Sequence, residues 1–273
     1  MVSGRAVRLG AVIVTAVSVL VFVAVAPEFP YRSAGTGYPG AAQALAYSGL
    51  RVAAMVAGAV TLGALVYVVC CTGTGKSGRV EVDGYAGIRL VERTAVVWAL
   101  AASALVPVSA ADIGGMSTSQ MMARGALGAL FDAGDRPKAW LVVAVIAAVV
   151  AVLARLVLSW TGAMALVVLA GIAVLPPVLV GNAGEGPGHD YATGAVILFQ
   201  LALSVPVGLL WCVRDHLVRG GAHRAQVLGR TRVLVAVCLG VAAVSAGVLG
   251  ILSLLGDGIS TNPFGCEWVG TRY

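Results

Sequence analysis

The apolar positions of this chain gather into seven long runs, at residues 9–26, 52–71, 94–111, 139–158, 161–180, 193–213 and 233–255. Glycine-rich or charged connectors separate them. Each run is close to the roughly 20 residues with which a helix crosses the hydrocarbon core of a bilayer. Without water, a helix satisfies its backbone hydrogen bonds internally. The pattern therefore predicts an all-α fold, a polytopic membrane helical bundle of about seven transmembrane helices, forming one domain over residues 1–273.

Composition agrees. The chain is 59% hydrophobic, and its 18 Lys and Arg and 12 Asp and Glu fall almost wholly in the connectors. A soluble protein has nowhere to hide so much apolar surface. Lys and Arg are retained on the cytoplasmic side of short loops. A cytoplasmic N-terminus puts twelve of the 18 basic residues inside, among them Arg5, Arg8, Lys76, Arg79, Arg214 and Arg232, and eight of the 12 acids outside. The expected topology is N-terminus cytoplasmic, C-terminus extracytoplasmic, in a bacterial plasma membrane. The net charge of +6 then faces anionic lipid, and nucleic acid is not an expected partner. The first run ends Ala24-Val25-Ala26, like a signal-peptide cleavage site, but Pro27 follows and the run is long, so an uncleaved signal anchor is expected.

Catalytic patterns are absent from the sequence. Gly75-Lys76-Ser77 resembles the end of a phosphate-binding loop, yet Cys70 stands where the pattern requires glycine, and a membrane helix precedes it in place of a strand. No Ser/His/acid set, paired carboxylates or dinucleotide fingerprint is present, and an enzyme is not expected. Five cysteines do not make a disulfide framework: Cys70, Cys71 and Cys212 fall at cytoplasmic helix ends, Cys238 within the seventh run and Cys266 outside.

Soft or borderline metal ligands are the remaining chemistry. The connector after the third run carries Asp112, Met116, Met121 and Met122, and the one after the fifth carries His189 and Asp190. Thioether and imidazole suit copper, Cu(I) above all. Met121 and Met122 are adjacent, so on a helix they point about 100° apart and cannot share one small site. The methionines also fit an amphipathic interfacial segment over 121–131, and His189 fits a solvated loop. Cys70, Cys71 and Cys212 are weaker inner candidates, equally read as small apolar residues. His216 and His223 fall in the basic cytoplasmic connector, away from His189, so a bis-histidine haem pair is not expected.

The stretch Leu175-Pro176-Pro177-Val178-Leu179-Val180-Gly181-Asn182-Ala183, then Gly188-His189-Asp190-Tyr191-Ala192 and a helix, resembles the copper-resistance D (CopD) family. More closely, it resembles the N-terminal part of actinobacterial proteins that fuse such a region to a cytochrome c oxidase assembly region. Gly37-Tyr38-Pro39-Gly40, Trp98, Met116-Ser117-Thr118-Ser119-Gln120 and residues 261–273 support it. The resemblance implies a membrane protein of copper uptake or homeostasis, with His189 matching a loop histidine that handles copper. Asn182, Phe199 and Pro206 depart from the family pattern, the first two where histidines are usual. Members also continue beyond Thr271-Arg272-Tyr273, so a shortened member is expected.

Three functions follow. One is copper transport or delivery linked to respiratory oxidase assembly. A second is a ligand-depleted member acting as a structural or assembly partner, with a respiratory oxidase or a second membrane domain as its partner, using small residues such as Gly58, Gly63, Gly240 and Gly247 for close packing. A third, transport of another solute, has no inverted repeat or broken-helix signature beyond Pro206.

Overall fold

The computed structural model describes Tyr31 and residues 37–72, 78–181, 189–221 and 223–257; at 133, 181, 189–190 and 253–257 it describes the helix without the side chain. The run at 9–26, the turn holding Gly75-Lys76-Ser77, Asn182, Cys266 and residues 261–273 lie outside the described residues.

Nine α-helices follow in order among the described residues. Helix α1, Ala41–Val66, ends in a π-helical turn, Tyr67–Cys71; α2 is Val82–Ile113, α3 Thr118–Ala123, α4 Leu127–Ala133, α5 Asp135–Leu156, α6 Trp160–Ala173, α7 Pro176–Gly181, α8 His189–Arg219 and α9 Arg224–Asp257. Six stretches among the described residues are long and apolar enough to cross a membrane: Ala41–Cys71, Val82–Ile113, Asp135–Leu156, Trp160–Val180, Tyr191–Arg219 and Arg224–Leu252. They match the last six predicted runs, and the chain is a multi-pass membrane protein. The isolated pairing of Arg79 with Ser159 joins the connectors that precede α2 and α6.

The helices overrun the apolar runs, because hydropathy marks the hydrocarbon crossing while the helix continues into the interface. Helix α1 begins eleven residues before its run and α2 twelve before its own, carrying Asp83, Arg89, Glu92 and Arg93 on its first turns. Gln43 can lie buried in the α1 extension because its amide is paired: Nε2 donates to Val108 O at 3.0 Å, and Oε1 accepts from Thr118 N and Oγ1 at 3.1 and 3.0 Å. The run at 161–180 is instead divided into α6 and α7. Pro176 and Pro177 lack backbone N–H groups and disfavour helical geometry at the residue before them. Pro206, by contrast, lies inside an unbroken α8.

Helix α1 is the centre of the bundle, packed between α2 and α8; α5 lies on α2, and α9 on α8. Its most apolar stretch is 67% buried, against 11% for that of α9, which leaves α9 at the rim. Two glycines set how closely α1 approaches its neighbours. A Cβ on Gly58 would lie 2.8 Å from the Trp98 indole, so this notch seats the tryptophan of α2. A Cβ on Gly63 would lie 2.6 Å from Leu209 N and 2.7 Å from Gly208 Cα, so α1 and α8 meet backbone to backbone. Thr61 and Thr94 add a hydroxyl hydrogen bond of 2.8 Å between α1 and α2.

Candidate functional site

The candidate ligands divide between the two ends of the bundle. At the methionine end, α2 stops at Gly114 and Gly115, the latter with a positive φ of 60° that favours glycine. Ser117 then starts α3 with a reciprocal capping box, its side chain accepting from Gln120 N while Gln120 reaches back to Ser117 N. These turns fold the predicted interfacial segment into two short helices, α3 and α4.

That folding separates the methionines. Met121 is fully buried at 0% exposure, packed with Ala110 and Ala111, and Met116 lies half-buried against the same cluster. Met122 is 57% exposed and points elsewhere, as the helical rotation of adjacent residues requires. Asp112, expected in a connector, instead ends α2 with its carboxylate buried and accepts a 2.6 Å hydrogen bond from Tyr31 Oη. Burial first, and that bond second, push the Tyr31 phenol well above its ordinary pKa. His189 begins α8. Its side chain lies outside the described residues, so no distance from it to the methionines enters the site.

The opposite, cysteine end contains a group that hydropathy does not reveal. Helices α1 and α8 run in the same direction, and their glycine crossing sets the register. One turn beyond Gly63 stands Tyr67 and two turns beyond it Cys71, while one turn beyond Gly208 stands Cys212 and two turns beyond it His216. Cys71 and Cys212 are buried at 3% and 6% exposure. Cys70 is half-buried, and its carbonyl accepts from Arg230 Nη1 at 3.2 Å. Cys71 Sγ lies 3.7 Å from Thr231 Oγ1. The Thr231 hydroxyl already donates to Val227 O at 2.7 Å, so the thiol is the donor to Thr231.

His216 corrects an expectation. It is not a connector residue, because α8 continues to Arg219, and its side chain is 3% exposed in the last turn. Its Nδ1 lies 3.9 Å from Asp83 Oδ2, and its ring meets Tyr67 edge-on, centroids 6.3 Å apart. Gly221 makes room for it, since any Cβ there would collide with the imidazole. His223 remains in the connector, exposed and with φ 53°. The Tyr67 hydroxyl is buried with no hydrogen-bond partner among the described residues. The spacings Gly-x3-Tyr-x3-Cys and Gly-x3-Cys-x3-His on two apolar runs are the sequence signal for this group. They acquire meaning only once α1 and α8 are known to touch.

Among the described residues no three His, Cys, Asp or Glu side chains come together as a metal site. Among those residues neither end forms a carboxylate- or imidazole-rich cage. What the ends offer is sulfur: thioether at one, thiol at the other, with the apolar interior of the bundle between.

The family model described as copper resistance protein D-like, N-terminal domain, matches residues 41–192. Uncharacterized proteins of Mycobacterium bovis and Mycobacterium tuberculosis are each 36% identical over 179 residues, covering 66% of this chain and 27% of their own length. A Mycobacterium leprae protein, also uncharacterized, is 31% identical over 183 residues, with the same shares of 66% and 27%. The match with this chain thus spans about a quarter of the length of these relatives. No solved structure matches. The family match starts at the first residue of α1 and ends in the first turn of α8, so it takes in the helices around Gly58 and Trp98, Met116 with Met121, and the paired prolines. On that coverage the chain belongs to the copper resistance protein D-like family.

Proposed function

We propose that this protein is a plasma-membrane component of copper homeostasis that takes up or delivers copper, in connection with respiratory oxidase assembly. The observation that carries the reading is the placing of sulfur at both ends of the bundle: buried Met121 with half-buried Met116 at one end, and buried Cys71 and Cys212 at the other. Neutral thioether and thiol groups can be buried between membrane helices at much lower cost than carboxylates, and both favour Cu(I). With the basic connectors in the cytoplasm, the methionine end and His189 face outward, where copper arrives, and the cysteine end faces inward. The test is copper content, copper-dependent growth and oxidase activity in a strain lacking the gene, complemented with the natural protein, His189→Ala or Met116→Leu. Unchanged copper content and growth on deletion would sink the reading.

A ligand-depleted assembly partner is the second reading, and one structural feature favours it. Gly58 and Gly63 are consumed inside the bundle, whereas a Cβ on Gly240 or Gly247 of the rim helix α9 would meet nothing within 4 Å among the described residues. Asn182 and Phe199, in place of family histidines, point the same way. Co-purification with a membrane complex, in the absence of bound copper, would select this reading over transport.

A further inference from the structure

We propose that Cys71 and Cys212 form a two-thiolate site for one Cu(I) ion at the cysteine end of the bundle, with the Tyr67 hydroxyl as a hydrogen-bond donor to the bound thiolates. The proposal rests on the copper reading above and assigns it a particular inner site.

Four observations lead there. Both cysteines lie in one buried cluster, and each is within electrostatic reach of the other and of Tyr67. The parallel α1–α8 crossing puts Tyr67 and Cys212 at the same level, with Cys71 at the end of the π-helical turn that follows Tyr67. Tyr67 is 2% exposed, and its hydroxyl has no partner among the described residues. A buried donor without an acceptor is costly, and it marks a place where an acceptor arrives. Thiols accept hydrogen bonds weakly; a metal-bound thiolate is anionic and accepts strongly.

Charge and ligand number decide which ion fits. Two thiolates around a monovalent ion leave one net negative charge. Arg230, whose Nη1 donates to the carbonyl of the neighbouring Cys70 at 3.2 Å, is the cation beside Cys71 that balances it. No third His, Cys, Asp or Glu completes a site among the described residues, which is wrong for tetrahedral Zn(II). Cu(I) is soft and is content with two sulfur ligands. Loading breaks two S–H bonds and forms two Cu–S bonds. Two protons pass to solvent and no electron moves, so the step needs no oxidant or reductant. The Cys71 hydrogen bond to Thr231 is lost, and the freed Thr231 oxygen remains beside the sulfur.

The experiment is Cu(I) titration of the purified full-length protein against a chromophoric Cu(I) chelator, following the ultraviolet thiolate-to-copper absorption. The natural protein, Cys71→Ser, Cys212→Ser, Cys238→Ser, Met121→Leu and Tyr67→Phe are compared, each first shown to elute as a single species with unchanged helical content. The thiolate band is expected in the natural protein, Cys238→Ser and Met121→Leu, and is lost in Cys71→Ser and Cys212→Ser. Tyr67→Phe needs no new packing. It is expected to fold at least as well as the natural protein yet bind Cu(I) roughly tenfold more weakly, as loss of a hydrogen bond to a charged group implies. A thiolate band that survives in both cysteine variants overturns the site. If copper binds without that band and the deletion phenotype stands, the site falls and the copper function remains. If the natural protein binds no copper and deletion has no phenotype, both fall. Unchanged affinity in Tyr67→Phe overturns the role given to the hydroxyl.

Discussion

The backbone contact between α1 and α8 makes Gly208→Ala a sharp test of the bundle. A Cβ on Gly208 would lie 2.8 Å from Ala64 N and 2.9 Å from Val60 C, and closer still to Val60 O, whereas ordinary contact begins near 3.4 Å. These are helical backbone atoms and cannot rotate away as a side-chain tip can, so the helices must part by at least about half an ångström. Overpacking of this kind costs roughly 1–3 kcal/mol. Alanine returns up to about 1 kcal/mol through its better helix propensity. The net expectation is a loss of about 1–2 kcal/mol, read as a lower midpoint in thermal unfolding of the detergent-solubilised protein. Gly240→Ala is the internal control: its Cβ meets nothing within 4 Å among the described residues, so only the propensity gain of up to about 1 kcal/mol remains. The two substitutions are chemically identical and should move the midpoint in opposite directions. If Gly208→Ala is as stable as the natural protein, or rises in step with Gly240→Ala, the close crossing and the register it imposes on Tyr67 and Cys212 are wrong.

Gln43→Leu removes three hydrogen bonds that tie α1 to α2 and to the start of α3, and should lower stability by about 2–3 kcal/mol, with Gln43→Glu retaining the two acceptor bonds and falling between. Equal midpoints for all three proteins would refute the bridge. Met121→Ala should cost about 2–5 kcal/mol because the side chain is fully buried, whereas Met122→Ala should be close to neutral; equal effects in unfolding measurements would mean the two faces of α3 are misassigned. Tyr31 carries a pH dependence. Its folded pKa is raised above the unfolded value, so its contribution is fully present below about pH 10 and is lost as pH rises through the folded pKa. Ultraviolet titration should show one fewer late-ionising tyrosine in Tyr31→Phe than in the natural protein; an unchanged late phase would refute the assignment. For orientation, Met122→Cys in a Cys266→Ser background should react with an impermeant maleimide added outside intact cells; labelling only after lysis would reverse the proposed topology.

Hydropathy alone was sufficient for the class of protein and the positions of six crossings, because leaving water is a local property of about 20 successive residues. It was also sufficient to separate Met121 from Met122, since 100° per residue is local geometry. Helix ends were less legible. Gln43, Asp83 and His216 fall outside the apolar runs, yet each lies in a helix and meets a partner distant in the chain: Val108 and Thr118 for Gln43, and Asp83 and His216 for each other beside Tyr67.

The cysteine-end group was invisible for a deeper reason. Lipid tails are as apolar as a protein core, so within a membrane hydrophobicity does not distinguish a face turned to lipid from one turned to a neighbouring helix. Gly63 and Gly208 carry the same hydropathy as Gly240 and Gly247, yet the first pair closes a helix crossing and the second meets nothing within 4 Å among the described residues. The sequence determined that this chain crosses a membrane and which soft ligands it carries there. Only the tertiary structure decided which of them meet, because side-chain packing between helices, and not transfer out of water, selects the faces in contact.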